Sequence, residues 1–179
     1  MRTTLVALLL LLLAMPAAAQ QVGSFVDIAQ NGETSSGAFA LTVDGYLFQG
    51  VNSPDNTWTY LGSIPDLAGR PATAPFVALA NWIGYDAPAA LTSAGEFYYF
   101  MGNYWHCDGT IGDLSGHQTQ GEFVALERTA YIRAISDDGD IYRWNYVVPE
   151  WLFECNVAEA AGVVITKPQS IGGVKVLFR

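Results

Sequence analysis

The sequence predicts an all-β domain in which one four-stranded unit is written three times, and three recurring landmarks predict it. The first is a Phe-Val start, at Phe25-Val26, Phe76-Val77 and Phe123-Val124. The second is a glycine flanked by two short apolar or β-branched runs: Phe39 to Phe48 around Gly45, Ala89 to Tyr98 around Gly95, and Arg133 to Trp144 around Gly139. Gly accepts the positive φ that a tight hairpin turn demands, so each such run reads as two strands and a turn. The third is a tryptophan strand. Trp58, Trp105 and Trp151, spaced by 47 and 46 residues, are followed at a constant offset by Ile64, Ile111 and Val157. Acidic Asp66, Asp113 and Glu159 come next, then Gly69, Gly116 and Gly162.

In chain order, residues 1–19 read as a secretory leader. Arg2 precedes an apolar run from Leu5 to Leu13, and Ala17-Ala18-Ala19 offers small residues before Gln20. A short hydrophobic core followed by small residues is the pattern of a cleaved signal. The mature chain is therefore expected to be exported to a periplasmic or extracellular space and not to span a membrane after cleavage. The remaining residues, 20–179, form a single domain with units at about 25–70, 76–116 and 123–162. Each unit reads as a Phe-Val strand, a hairpin and a Trp strand closed by an acidic turn. Gln30 to Gly37, Asn52 to Asn56 and Ser115 to Gly121 read as surface loops. No helix of length is expected; Ala158-Glu159-Ala160-Ala161, stopped by Gly162, is the best candidate. After the third unit, two apolar runs around Lys167-Pro168-Gln169-Ser170 predict a C-terminal hairpin over 163–178.

Charge excludes some functions. The whole sequence carries −9, and loss of the leader removes one basic residue and no acidic one. An acidic protein of this kind is no partner for nucleic acid, whose phosphates need a basic surface. The 18 glycines and the aromatic content of 13% suit a β domain with many turns.

The third hairpin runs Ala134-Ile135-Ser136-Asp137-Asp138-Gly139-Asp140-Ile141-Tyr142-Arg143-Trp144, after Phe123-Val124-Ala125-Leu126 and before Trp151-Leu152-Phe153. This resembles the blades of β-propellers of the regulator-of-chromosome-condensation and tectonin type, whose repeats read Ala-Leu-Thr-x-Asp-Gly-x-Ile-Tyr-x-Trp. Ser136 stands for Thr, and an extra Asp precedes the Gly. The first unit has Gln49-Gly50 where the Trp belongs, and the second lacks both Asp and Trp. The resemblance implies blades around an axis and leaves the ligand open. A closed propeller generally needs four or more blades. Three could close as a homodimer of six, take the C-terminal hairpin as part of a fourth, or stay open with exposed edges, which is an aggregation hazard. A β-trefoil is the alternative, since it also has three four-stranded units and closes as a monomer.

Few residues offer chemistry. Cys107 and Cys155 are the only cysteines, and in an exported chain a disulfide is expected between them. His106 and His117 have no paired metal-ligand spacing, and Ser136 to Asp140 lacks the terminal Glu of a calcium loop, so no metal or other cofactor is expected. Asp66, Asp113 and Glu159 recur with the repeat, which favours a structural role. No nucleophile elbow or phosphate loop is present. Aromatics not locked to the repeat are the candidates for a ligand surface, and Tyr99, Tyr104, Trp144 and Asn145 are singled out. The expected function is a secreted, non-enzymatic binding or assembly module presenting inter-strand loops to a glycan or protein. The alternatives are an envelope-polymer hydrolase using paired carboxylates and a self-assembling structural protein.

Overall fold

Each glycine hairpin lies at the centre of a four-stranded antiparallel sheet whose strands pair strictly in chain order. The computed structural model describes residues 23–30, 37–51, 57–82, 87–128, 131–145, 147–148 and 150–162. The leader and the C-terminal hairpin expected over 163–178 lie outside them. The first sheet contains β1 (Phe25–Gln30), β2 (Gly37–Thr42), β3 (Tyr46–Val51) and β4 (Trp58–Ser63), and leads into the short helix α1 (Ile64–Ala68). The second contains β5 (Phe76–Trp82), β6 (Ala87–Thr92), β7 (Glu96–Met101) and β8 (Tyr104–Thr110), followed by α2 (Ile111–Ser115). The third contains β9 (Phe123–Arg128), β10 (Ile132–Ser136), β11 (Asp140–Asn145) and β12 (Glu150–Asn156), followed by α3 (Val157–Ala161). The three registers match residue for residue: Phe25 pairs with Thr42, Phe76 with Thr92, and Phe123 with Ser136, each beside a bulge.

The hairpins repeat down to single hydrogen bonds. Gly45, Gly95 and Gly139 have φ of 82°, 83° and 92°. Their N–H groups donate to the carbonyls of Thr42, Thr92 and Ser136 at 2.9, 2.9 and 3.0 Å. The hydroxyls of those same residues accept the amides of Tyr46, Glu96 and Asp140, all at 3.0 Å. The glycine carbonyls in turn accept from Ile64, Ile111 and Val157 at 2.9, 2.8 and 2.9 Å, which is why those residues recur at a fixed offset. Each then opens one turn of helix ending at Gly69, Gly116 or Gly162 in the left-handed conformation. The acidic turns expected from sequence are therefore helical first turns, where Asp66, Asp113 and Glu159 suit the exposed N–H groups.

The sheets stack face to face like propeller blades, first strand beside first strand. Between the first two sheets, Leu41, Leu47 and Ile64 meet Phe76, Tyr98 and Trp105. Between the second and third, the repeat equivalents Leu91, Phe97 and Ile111 meet Phe123, Tyr142 and Trp151. Burial of side chains of this size stabilises by roughly 1.5–3 kcal/mol each. Backbone bonds stitch the stack: Phe76 and Phe123 donate to Val43 and Ser93 carbonyls, both at 2.9 Å, and Leu79 donates to Asp27 Oδ2 at 2.8 Å. No described strand pairs in a sheet with a strand of another unit, which sets aside the β-trefoil.

One expectation about side chains is corrected. Cys107 and Cys155 are both free. Cys107 packs with the core between the first two sheets, whereas Cys155 pairs with Ile141 in the outermost strand of the third. The outer strands of adjacent sheets diverge and keep the two thiols apart. Burial raises the Cys107 thiol above its ordinary pKa, which further lowers its reactivity. The tryptophans also differ: Trp105 and Trp151 are core, but Trp58 is 48% exposed.

Gly95 and Gly116 share a positive φ but differ in space. A Cβ on Gly95 would come 2.5 Å from the Phe123 ring, and one on Gly116 would meet nothing within 4 Å. Gly116→Ala should therefore cost only the left-handed penalty of about 1–2 kcal/mol. Gly95→Ala should add overpacking of about 1–3 kcal/mol. Urea denaturation of the two variants measures the difference.

Candidate functional site

The turn Met101-Gly102-Asn103-Tyr104 joins β7 to β8 with φ of 60° at Gly102 and 72° at Asn103. Two successive left-handed residues make the two-residue hairpin turn that suits strand twist, and Asn is among the few side chains that tolerate the conformation. This turn projects Tyr104, 71% exposed, at the lip of a groove of about 530 Å³ between the first two sheets. Phe39 and Leu47 from the first sheet line it, facing Phe100 and Trp105 from the second. Phe100 and Trp105 pack edge to face with centroids 5.8 Å apart. Gln49 and Asn103 supply amides, and no charged side chain among the described residues lines the groove. Asn81, buried and paired across the sheet with Pro88 of the groove wall, has both amide atoms without a hydrogen-bond partner among the described residues.

The equivalent groove between the second and third sheets is nearly filled. It measures about 80 Å³, and its lining residues Asp108, Leu114, Trp144, Glu150 and Trp151 stand at the repeat positions of Leu61, Leu67, Phe100, Tyr104 and Trp105. Larger side chains enter this groove, Phe97 standing where the first sheet has Leu47. Tyr99 stands where the first sheet has Gln49, and Trp144 stands where the second has Phe100.

The four aromatic and amide candidates are thus not brought together. Tyr104 stands in the open groove. Tyr99 and Trp144 lie in the core between the second and third sheets, each packed near Phe97. The Tyr99 hydroxyl donates to Asp108 Oδ2 at 2.7 Å, and burial followed by that bond raises its pKa. Asn145 ends β11, and its Oδ1 accepts the Val147 amide at 3.1 Å. Sequence reasoning missed Gln49 and Asn103; the Gly-Asn pair between aromatic runs was the available signal for the second.

Polar side chains at the hairpin ends mostly hold connectors. Asp138 accepts from the hydroxyls of Ser136 and of Thr119, the latter at 2.8 Å, and from the Gln120 amide at 3.0 Å. Asp137 Oδ1 accepts the Glu122 amide at 3.0 Å. Buried Glu96 accepts from the Thr73 amide at 2.9 Å and the Thr92 hydroxyl at 3.2 Å. Asp140 accepts from Asn156 at 2.8 Å and lies 3.4 Å from His117, which stacks on Phe153. Asp66, Asp113 and Glu159 are dispersed, one per sheet. Asp44, Asp66 and Arg70 line a separate polar cleft of about 870 Å³ at the hairpin end.

Fold and site together define an all-β protein of three blade-like repeats with an aromatic groove between two of them. Solved structures similar to it are β-propeller proteins. YCF48 from Cyanidioschyzon merolae matches at 14% identity over 78% of this chain and 48% of its own, with a TM-score of 0.48. Human WBSCR16 matches at 16% over 82% and 41%, with a TM-score of 0.46. YCF48 bound to D1 peptide matches at 15% over 76% and 40%, with a TM-score of 0.45. The chain thus spans less than half the length of each of these. No protein-family model matches the sequence. A search of curated proteins finds no match either.

Burial opposes ionisation of Asp138, but the bonds from Ser136, Thr119 and Gln120 outweigh it and hold its pKa below the ordinary carboxylate value. The bonds from Arg133 and Arg143 hold Glu154 low as well. A depressed carboxylate stabilises fully above its unfolded pKa, and that contribution is lost as pH falls through the folded one. Melting temperature should therefore fall from about pH 5 downward. Asp138→Asn should lower it at neutral pH and flatten the acid limb, as followed by circular dichroism.

Proposed function

We propose that the chain is an exported binding module that holds an extended, largely apolar segment of a partner protein in the groove between its first two sheets. The observation that carries this reading is the contrast between the two inter-sheet grooves. One is filled by Tyr99 and Trp144, while the other is left open with an aromatic floor and amides at its lip. An apolar floor buries side chains, and amides can both donate to and accept from a peptide backbone without the desolvation cost of a charge. Export rests on the leader over residues 1–19. The repeat wording of the third hairpin also supports kinship with blades of the regulator-of-chromosome-condensation and tectonin type.

Selection of a displayed peptide library against the full chain, followed by calorimetry, tests the proposal. Enriched peptides should lose at least about tenfold in affinity with Tyr104→Ala, the effect of removing an aromatic anchor. Gln49→Tyr, which copies the filled groove, should abolish binding while matching or exceeding the parent melting temperature, and Tyr104→Ala should keep it. Binding to glycan arrays without peptide enrichment, or affinity indifferent to both substitutions, overturns the proposal.

A further inference from the structure

The first sheet exposes a face that the other two sheets bury. Phe25 is 60% exposed, while its equivalents Phe76 and Phe123 are 1% and 2% exposed. Trp58, 48% exposed, corresponds to Trp105 at 8% and Trp151 at 1%. Exposed Ile28 corresponds to buried Leu79 and Leu126, and half-buried Phe48 to Tyr98 and Tyr142. In the second and third sheets this side packs on the preceding sheet. In the first sheet it forms an apolar surface lined by Phe25, Ile28, Ala40, Phe48 and Trp58.

The surface keeps the residues that dock on a sheet and lacks the one that holds a connector. Glu96 accepts a hydrogen bond from the connector between α1 and β5, and Asp140 lies against His117 of the connector between α2 and β9. The same register position in the first sheet is Tyr46. That pattern fits a covering sheet that arrives without a covalent connector.

The third sheet exposes the opposite side, where Arg133, Arg143 and Glu154 form an ion cluster at 2.8 and 2.7 Å at the positions of Phe39, Gln49 and Leu61, and apolar residues continue beside it. Ile135, Ile141 and Val157 stand at the positions of Leu41, Leu47 and Ile64, which receive the second sheet. Val157 is 43% exposed, whereas Ile64 and Ile111 are 0% exposed. No further described sheet packs on this side. We propose that the exposed face of the first sheet is covered by the third sheet of a second copy of this chain. The two copies pack head to tail in both directions and complete a ring of six sheets, within the range of closed propellers.

Two substitutions on opposite faces test the arrangement in the full mature chain. Ile28→Asp places a charge on the exposed face of the first sheet. Val157→Asp places one on the third, at a helix N-terminus where Asp is well tolerated. The parent should sediment with the mass of two chains. Each variant alone should sediment as one chain with an unchanged circular dichroism melt. A parent of single-chain mass at every concentration overturns the proposal. So does a two-chain Val157→Asp variant, which would mean back-to-back pairing or a third sheet covered by residues 163–179. Growth beyond two chains overturns it equally.

Discussion

Phe76 and Phe123 lay their rings where the Cβ atoms of Gly45 and Gly95 would stand. Their amides donate to the carbonyls of Val43 and Ser93, two residues before those glycines. The glycine turn is therefore at once the corner of a hairpin and the socket for the next sheet. Without a side chain it can take the positive φ of the turn and admit an aromatic ring at van der Waals distance. The glycine carbonyl also starts the helix that carries the chain onward, so one short turn sets the path within a sheet, the spacing between sheets and the exit of the connector. Sheet stacking, the inter-sheet grooves and the exposed end face all inherit their geometry from it.

Features that are local or repeated could be read from the amino acids. Gly95 has to be a turn residue whatever surrounds it, and the offset from Trp105 to Ile111 is the same in every unit because it closes the same hydrogen bond. The helices α1 and α2 were not readable, since five residues carry no helical periodicity and Pro65 resembles a loop residue until it is seen at a helix start. The exposure of Trp58 was hidden for a different reason: its offset to Ile64 matches that of Trp151 to Val157, and the exposure is set by the sheet packed beside it. Groove residues were hidden in the same way, because Gln49 and Tyr104 lie in different sheets and meet only through stacking.

Tyr99 and Trp144 show how alternation misleads when each sheet has a neighbour on both sides. Tyr99 points forward from the second sheet and Trp144 backward from the third, so two aromatics that break the repeat pattern arrive in one core. Departure from a repeat marks a local requirement, and here the requirement is volume. Tyr46 is a departure of another kind. Glu96 and Asp140 stand at that position in the second and third sheets, where each meets the connector that precedes its sheet.

Blades that meet closely at their first strands must diverge at their fourth, so every inter-sheet space widens outward unless large side chains fill it. Between the second and third sheets, two indoles and a phenol do so: Trp144 packs edge to face on Trp151 at 5.7 Å, and Tyr99 stacks on Phe97 at 5.6 Å. Between the first and second, Gln49 and Phe100 are too small for the same task, and space for a ligand remains. Filling that space would add buried apolar area and hence stability. A chain that spends large aromatics on one groove and withholds them from its neighbour forgoes that stabilisation at one place, the place where Asn103 and Tyr104 are raised on a tight turn beside the opening. The difference between the grooves therefore has a stability cost, and occupancy by the proposed partner would offset it.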